Sequence, residues 1–326
     1  MKKYLIEAII SLFLTIISGF IVIPLLKKIK AGQPIYKYVE VHKNKNGTPT
    51  MGGLFFIISA SIVYLCFNGF KNKIATVSLT IGLSFMAVGF IDDFIKIIYK
   101  RNEGLKPYQK IGFQIVIAGF SGYYAYINRL TDFYIPFTDL KIELGIATIF
   151  IVTIVFIAIT NSVNLTDGLD GLAGFTVCPY LLFVSILIYV ENKSIGIIRL
   201  PNEYDSLISL SMCLVGGVLG FLFFNVNKAK VFMGDTGSLS LGGFLGAISL
   251  FSLNGFFIPI IGIMFVISSI SVIVQVVYYK KTKRRVFLMA PLHHHLQLKG
   301  MTESQISFVY GLITLVMGCV SVIFLL

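Results

Sequence analysis

Apolar stretches of about 17 to 25 residues, the length a helix needs to cross a bilayer, recur from one end of this chain to the other. Ten such spans are expected, at 4–26, 51–69, 74–91, 111–127, 144–160, 171–190, 206–224, 237–253, 256–279 and 305–326. Composition agrees: of 326 residues, 56% are hydrophobic and only 13% charged, against roughly 25% charged in a soluble domain. Mean hydropathy is +0.87. The expected fold is therefore an all-α, polytopic membrane bundle of about ten transmembrane helices, forming one domain over 1–326. A water-soluble catalytic domain is excluded.

Ten is an even number, so both termini fall on one side and the connecting segments divide into two sets. One set comprises 27–50, 92–110, 161–170, 225–236 and 280–304, and it carries 19 of the 27 Lys and Arg. By the positive-inside tendency this set is cytoplasmic. It is also the longer set, so its density of basic residues barely exceeds that of the other. A sharper asymmetry is that all four histidines, the Gly-rich motifs and Asp92, Asp93, Asp167, Asp170 and Asp235 lie in it. The formal charge of +12 is explained by membrane anchoring, with no nucleic-acid partner. Cys66, Cys178, Cys213 and Cys319 all lie in apolar spans without metal-ligand spacing, so neither a disulfide framework nor a zinc site is implied. The first span follows Lys2 and Lys3, is longer than a signal-peptide core and reads as a retained helix.

Five motifs carry candidate chemistry. Asp92-Asp93 ends the third span, where the negative end of a helix dipole disfavours carboxylates. Either a divalent metal or a lysine compensates there, or Asp92 simply pairs with Lys96 one turn on along a solvated face. Asn161, Asn164, Asp167 and Asp170 recur every third residue at a helix boundary, a row that converges only if the backbone is irregular. Such a row suits the edges of a nucleoside or a metal, or else supplies an N-cap beside packing glycines. Phe232-Met-Gly-Asp-Thr-Gly-Ser238 opens the eighth span: Asp235 either holds magnesium near phosphate or caps the helix. In Lys45-Asn-Gly-Thr-Pro-Thr-Met-Gly-Gly53, Thr50 is either an N-cap or a phosphate donor. His293, His294 and His295 point about 100° apart on any helix, so they do not form a three-histidine metal centre. One or two of them suit phosphate donation or proton transfer. The run Tyr278–Arg285 reads as an aromatic belt with a basic anchor.

Taken in order, Gly47–Gly53, Asp92-Asp93, Asn164–Ala173, Phe232–Ser238 and Pro291–His295 resemble the phospho-N-acetylmuramoyl-pentapeptide transferase family. That family lies within the polyprenyl-phosphate hexose-1-phosphate transferase superfamily. The resemblance implies Mg²⁺-dependent transfer of phospho-MurNAc-pentapeptide from its UDP carrier to undecaprenyl phosphate, giving lipid I and UMP at the cytoplasmic face of the bacterial membrane. By motif it implies Asp92, Asp93, Asp235 and the histidines His293, His294 and His295 as catalytic, with Asp235 and Asp93 as metal ligands. It further implies Lys45, Thr50, Lys96, Asn164, Asp167, Asp170, Asn225 and Phe232 as substrate-site residues, and a homodimer. Gln297 departs from the family pattern, which has an acidic residue in many members. The alternative substrate is UDP-GlcNAc, and the histidine motif argues against it. An intramembrane aromatic prenyltransferase would need two Asp-rich motifs. A transporter would need intramembrane charge near the midplane, and only Glu7 lies well within a span.

Overall fold

The computed structural model describes residues 1–29, 47–99, 101, 103–138, 140–194, 201–226 and 228–324, with the side chains of 192–194 and 201–203 left aside. Twelve α-helices run through these residues. They are α1 (Lys2–Lys28), α2 (Gly53–Asn68), α3 (Lys73–Ile98), α4 (Pro107–Ile127), α5 (Ala147–Thr166), α6 (Leu172–Ser194), α7 (Pro201–Asn225), α8 (Gly234–Phe251), α9 (Ile258–Ile261), α10 (Ile263–Thr282), α11 (Leu292–Leu298) and α12 (Glu303–Ile323). Each of the ten apolar spans coincides with helix, and seven of the helices are long and apolar enough to cross a membrane. The protein is a multi-pass membrane protein. α2, α4 and α8 fall outside those seven, α2 because it is short.

α8 falls outside for a structural reason: every side chain from Thr236 to Phe251 is buried inside the bundle. A helix that meets protein on all sides has no need of lipid-facing bulk and can be built of Gly and Ser. The small residues let backbones close in. A Cβ on Gly89 of α3 would run into the Asp235 carbonyl, and one on Gly53 of α2 into Gly237. Ser240 Oγ donates to Gly82 O at 2.9 Å, a further tie between α8 and α3.

One local expectation is corrected, and two features are added to it. The ninth span is broken: a 3₁₀ turn at Gly255–Phe257 leads into the single turn of α9, and Gly262 leaves helical geometry before α10 begins. Pro259 has no N–H to continue a preceding helix, so a break upstream of it costs nothing. The connection before α5 contains two strands, β1 (Asp132–Tyr134) and β2 (Lys141–Glu143), paired antiparallel with Phe133 opposite Ile142. The histidine run forms its own short helix, α11.

The ends of α3, α5 and α7 and the starts of α2, α6, α8 and α12 meet at one end of the bundle, as alternating helices require. Asn225 closes α7 and accepts the Gly171 N–H at 2.9 Å. Glu303 opens α12 and accepts the Asp170 N–H at 2.9 Å. Segments from all five members of the basic set therefore border one another.

Candidate active site

Asp92 and Asp93 sit on the last turns of α3, and both are buried. Asp93 serves the neighbouring helix. Its Oδ2 accepts the Thr236 N–H at 2.9 Å and the Thr236 hydroxyl at 2.7 Å, capping α8 from outside because Met233, at the N-cap position, contributes no side-chain cap. Capping by Asp235 itself was the alternative open from sequence. Instead, Asp235 accepts Asn164 Nδ2 on Oδ1 at 2.7 Å, and Lys96 and Lys110 on Oδ2 at 3.0 and 2.7 Å. Asp92 pairs with Lys96 at 2.7 Å, not on a solvated face but inside the cluster, and its Oδ1 accepts the Leu105 N–H at 2.9 Å.

Lys96 therefore bridges three carboxylates, reaching Asp93 Oδ1 at 3.5 Å as well. One oxygen from each of Asp92, Asp93 and Asp235 lies within 4.8 Å of the others. Three hard oxygen donors so placed fit a small divalent cation. Two ammonium groups offset most of the repulsion that would otherwise drive the carboxylates apart.

Gly234 makes this convergence possible. Its φ of +72° favours glycine, and a Cβ there would meet Thr50 Oγ1 at 2.6 Å and crowd Asp93 Oδ2 at 2.5 Å. The glycines of this motif thus serve helix entry and close packing. Thr50 is not an N-cap, a position taken by Gly52. Its hydroxyl is buried without a hydrogen-bond partner beside Gly234. Residues 49–53 lie along 232–233, with Phe232 N–H donating to Pro49 O at 2.8 Å and Gly52 N–H to Phe232 O at 2.9 Å. Lys45 lies outside the described residues.

The row at Asn161, Asn164, Asp167 and Asp170 does not converge. α5 continues to Thr166, so Asn161 faces α4 while Asn164 faces Asp235 and Ser238, the latter at 2.8 Å. Asp170 accepts the Ala229 N–H at 3.0 Å, and Asn225 donates to Val231 O at 2.9 Å. These two residues staple loops. Between them Asp167 is held close to other acids. Burial, then the charges of Asp235, Asp93 and Asp170, push its carboxyl well above the usual range.

The three histidines have three environments, as consecutive helical residues must. His293 is buried, both ring nitrogens lack a hydrogen-bond partner, and a Cβ on Gly168 would strike its Nε2. Burial, with His294 beside it, pushes the imidazole down to about 3, so it is neutral at physiological pH. His294 Nδ1 lies 3.4 Å from Gln297 Oε1. His295 accepts the Leu288 N–H at 3.1 Å and packs on Phe287, which makes it a staple for the preceding loop.

Lys110 is the residue that sequence reading missed. It belongs to no motif, and only its place on the first turn of α4, on the same side as the other clustered polar residues, hinted at it.

Residues 74–253 match glycosyl transferase family 4, and residues 45–57 match signature 1 of the phospho-N-acetylmuramoyl-pentapeptide transferases. A phospho-N-acetylmuramoyl-pentapeptide transferase of Desulfitobacterium hafniense is 40% identical over 99% of this chain and 97% of its own. Its counterpart in Clostridioides difficile is 41% identical over 97% of this chain and 96% of its own. That of Staphylococcus epidermidis is 38% identical over 97% of each. With likeness of that extent, the chain belongs to the phospho-N-acetylmuramoyl-pentapeptide transferase family and is a membrane-embedded transferase.

Proposed function

We propose that the chain transfers phospho-MurNAc-pentapeptide from UDP-MurNAc-pentapeptide to undecaprenyl phosphate, releasing UMP and forming lipid I at the cytoplasmic face of the bacterial cell membrane. The observation that carries this reading is the meeting of Asp92, Asp93 and Asp235 around Lys96 and Lys110. Phosphoryl transfer depends on positioning and charge neutralisation more than on covalent chemistry by the protein. A cluster of this kind supplies both.

The carboxylate set fits magnesium, and Asp235 and Asp93 would hold it. Asp93 has Oδ1 for that purpose while Oδ2 caps α8. The ion, when bound, neutralises charge on the diphosphate and polarises it. The protein's own residues do the rest. Lys96 and Lys110 keep Asp235 ionised and present ammonium groups to incoming phosphate oxygens. Asp92, fixed through Oδ1 by Leu105, keeps the acceptor phosphate deprotonated. Asn164 orients Asp235, and neutral His293 lies against the Gly168 loop, where it can donate a hydrogen bond without adding charge. Thr50, Asp167, Asp170, Asn225 and Phe232 frame the nucleotide side, the loops stapled by Asp170 and Asn225 set its walls, and family resemblance adds Lys45 to the nucleotide-site residues. Family resemblance further supports a homodimer, which cross-linking in intact membranes would test.

The deciding experiment offers the purified protein Mg²⁺, undecaprenyl phosphate and either UDP-MurNAc-pentapeptide or UDP-GlcNAc, and measures UMP release. Release with the first alone is expected. Release with the second alone would reverse the substrate assignment. A phosphorylated protein trapped without lipid acceptor would replace direct attack by a two-step route through an aspartyl phosphate.

A further inference from the structure

The seam between α4 and α5 carries a polar contact for which the chemistry above has no use. Gln114 on α4 is fully buried, and Asn161 on α5 donates Nδ2–H to its Oε1 at 2.7 Å. The return contact, Gln114 Nε2 to Asn161 Oδ1, is longer at 3.5 Å. Asn161 also donates to Ile157 O at 2.8 Å, which fixes the amide against its own helix. Further along, the seam holds buried Ala118, whose carbonyl accepts the Thr153 hydroxyl at a longer 3.4 Å, and Gly122 against the Ile149 backbone. A buried amide pair there adds little stability over an apolar pair of the same shape. Its distinct property is direction: it is satisfied in one register only.

That register matters one turn away. Lys110 lies four residues before Gln114 and Asn164 three after Asn161, so each shares a helix face with its amide neighbour. The two grip opposite oxygens of one carboxylate. Lys110 reaches Asp235 Oδ2 at 2.7 Å and Asn164 reaches Oδ1 at 2.7 Å. Leu105 anchors the chain ahead of α4 on Asp92, which sets where α4 begins but not how it is rotated. A slip of one residue would turn the helix face by about 100° and carry Lys110 off the carboxylate.

We infer that the Gln114–Asn161 pair is a positioning device, locking α4 to α5 in the one register that brings Lys110 to the carboxylate Asn164 already holds. The inference rests on the active-site reading above, but not on which sugar nucleotide is the donor.

The test uses the full-length protein in detergent and three sets of variants. Gln114→Leu with Asn161→Leu removes the pair without leaving an orphaned polar group. Gln114→Asn with Asn161→Gln exchanges the partners. Both are also placed in a Lys110→Met background. Melting midpoint, kcat and KM are measured with whichever UDP-sugar the wild type turns over, so a wrong substrate assignment appears in the wild type and leaves the ratios readable. The double-leucine variant is expected to melt as the wild type does, to keep KM, and to lose about 10- to 100-fold in kcat, the size expected of a small misplacement. The exchanged pair should recover most of that loss. In the Lys110→Met background the double-leucine change should cost no more than about twofold further, since its effect runs through Lys110. The proposal is overturned by double-leucine kcat within about twofold of wild type, or by a full additional loss in the Lys110→Met background. It is equally overturned if both amide variants lose their melting transition, because the pair would then be needed to fold rather than to position.

Discussion

Carboxylates are enclosed at both ends of this bundle, yet among the described residues one end alone gathers three of them. At that end Asp92, Asp93 and Asp235 converge and share Lys96 and Lys110. At the other, about 24 Å along α2 and 30 Å along α6 by helical rise, Glu7 accepts from Asn68 at 3.2 Å and Glu191 from Asn254 at 2.9 Å. Each of these glutamates keeps one oxygen without a hydrogen-bond partner. Enclosure alone therefore does not distinguish a site. What distinguishes it is several acids brought together from distant segments, with cations between them and an amide or backbone N–H on the remaining oxygens.

The comparison breaks most visibly at Asp235, where two lysines and Asn164 meet. Asp235→Asn keeps the shape but removes the charge that balances Lys96 and Lys110. UMP release is expected to fall by about 10³-fold, at the upper end of what one preorganised electrostatic group contributes, and the Mg²⁺ dependence of nucleotide binding should weaken. Activity near wild type would remove Asp235 as a metal ligand. Lys110→Met should come next, with a kcat loss of about 10²-fold and little change in melting, because the carboxylate retains Lys96. A loss confined to KM would place Lys110 on substrate binding instead.

Much of the acid-cluster end was legible in the sequence because its acids sit in short motifs at the ends of apolar spans. Asp92, Asp93 and Asp235 needed only the alternation of helices to be brought to one side. Other features depend on tertiary pairing, which no local pattern encodes. That Asp93 caps α8 follows from the contact between two helices 143 residues apart in sequence. Lys110 and Gln114 sit on α4 with ordinary neighbours, and only the rotation of α4 against α5 gives them partners. The row of acceptors from Asn161 to Asp170 could converge only on an irregular backbone, and α5 persists through Asn164 and turns successive members to different neighbours. The break before α10 was announced by Pro259 and Gly262, yet continuous hydrophobicity masked it. Hydrophobicity reports solvent, not helix continuity.

A smaller effect is expected on stability at the histidine loop, read by melting apart from turnover. His293 is held neutral, its folded pKa of about 3 lying below the ordinary value of about 6.5. The stability this represents is fully present above about pH 6.5 and is lost as pH falls toward the folded value, at about 1.4 kcal/mol per unit. Melting in detergent should therefore decline more steeply between pH 7 and 5 for the wild type than for His293→Leu. Parallel declines would show that the ring is solvated or paired in the folded protein.

The smallest effects belong to Glu7 and Glu191 at the opposite end, and they test the comparison from its other side. Glu7→Gln and Glu191→Gln keep each side chain's length and leave an oxygen to accept from Asn68 or Asn254, while removing a charge that lies outside the three-carboxylate cluster, Glu7 facing Lys3 at 3.7 Å and Glu191 lying near Lys141. If convergence makes the site, neither change reaches the chemistry some 30 Å away by helical rise, and UMP release should stay within about twofold of wild type. Melting alone should move, and upward wherever the new amide supplies a donor to a buried neighbour that lacked one, such as Asn254 Oδ1. A tenfold loss of kcat in either variant without a change in melting would mean that the two ends are coupled, and that Glu7 or Glu191 is part of the catalyst after all.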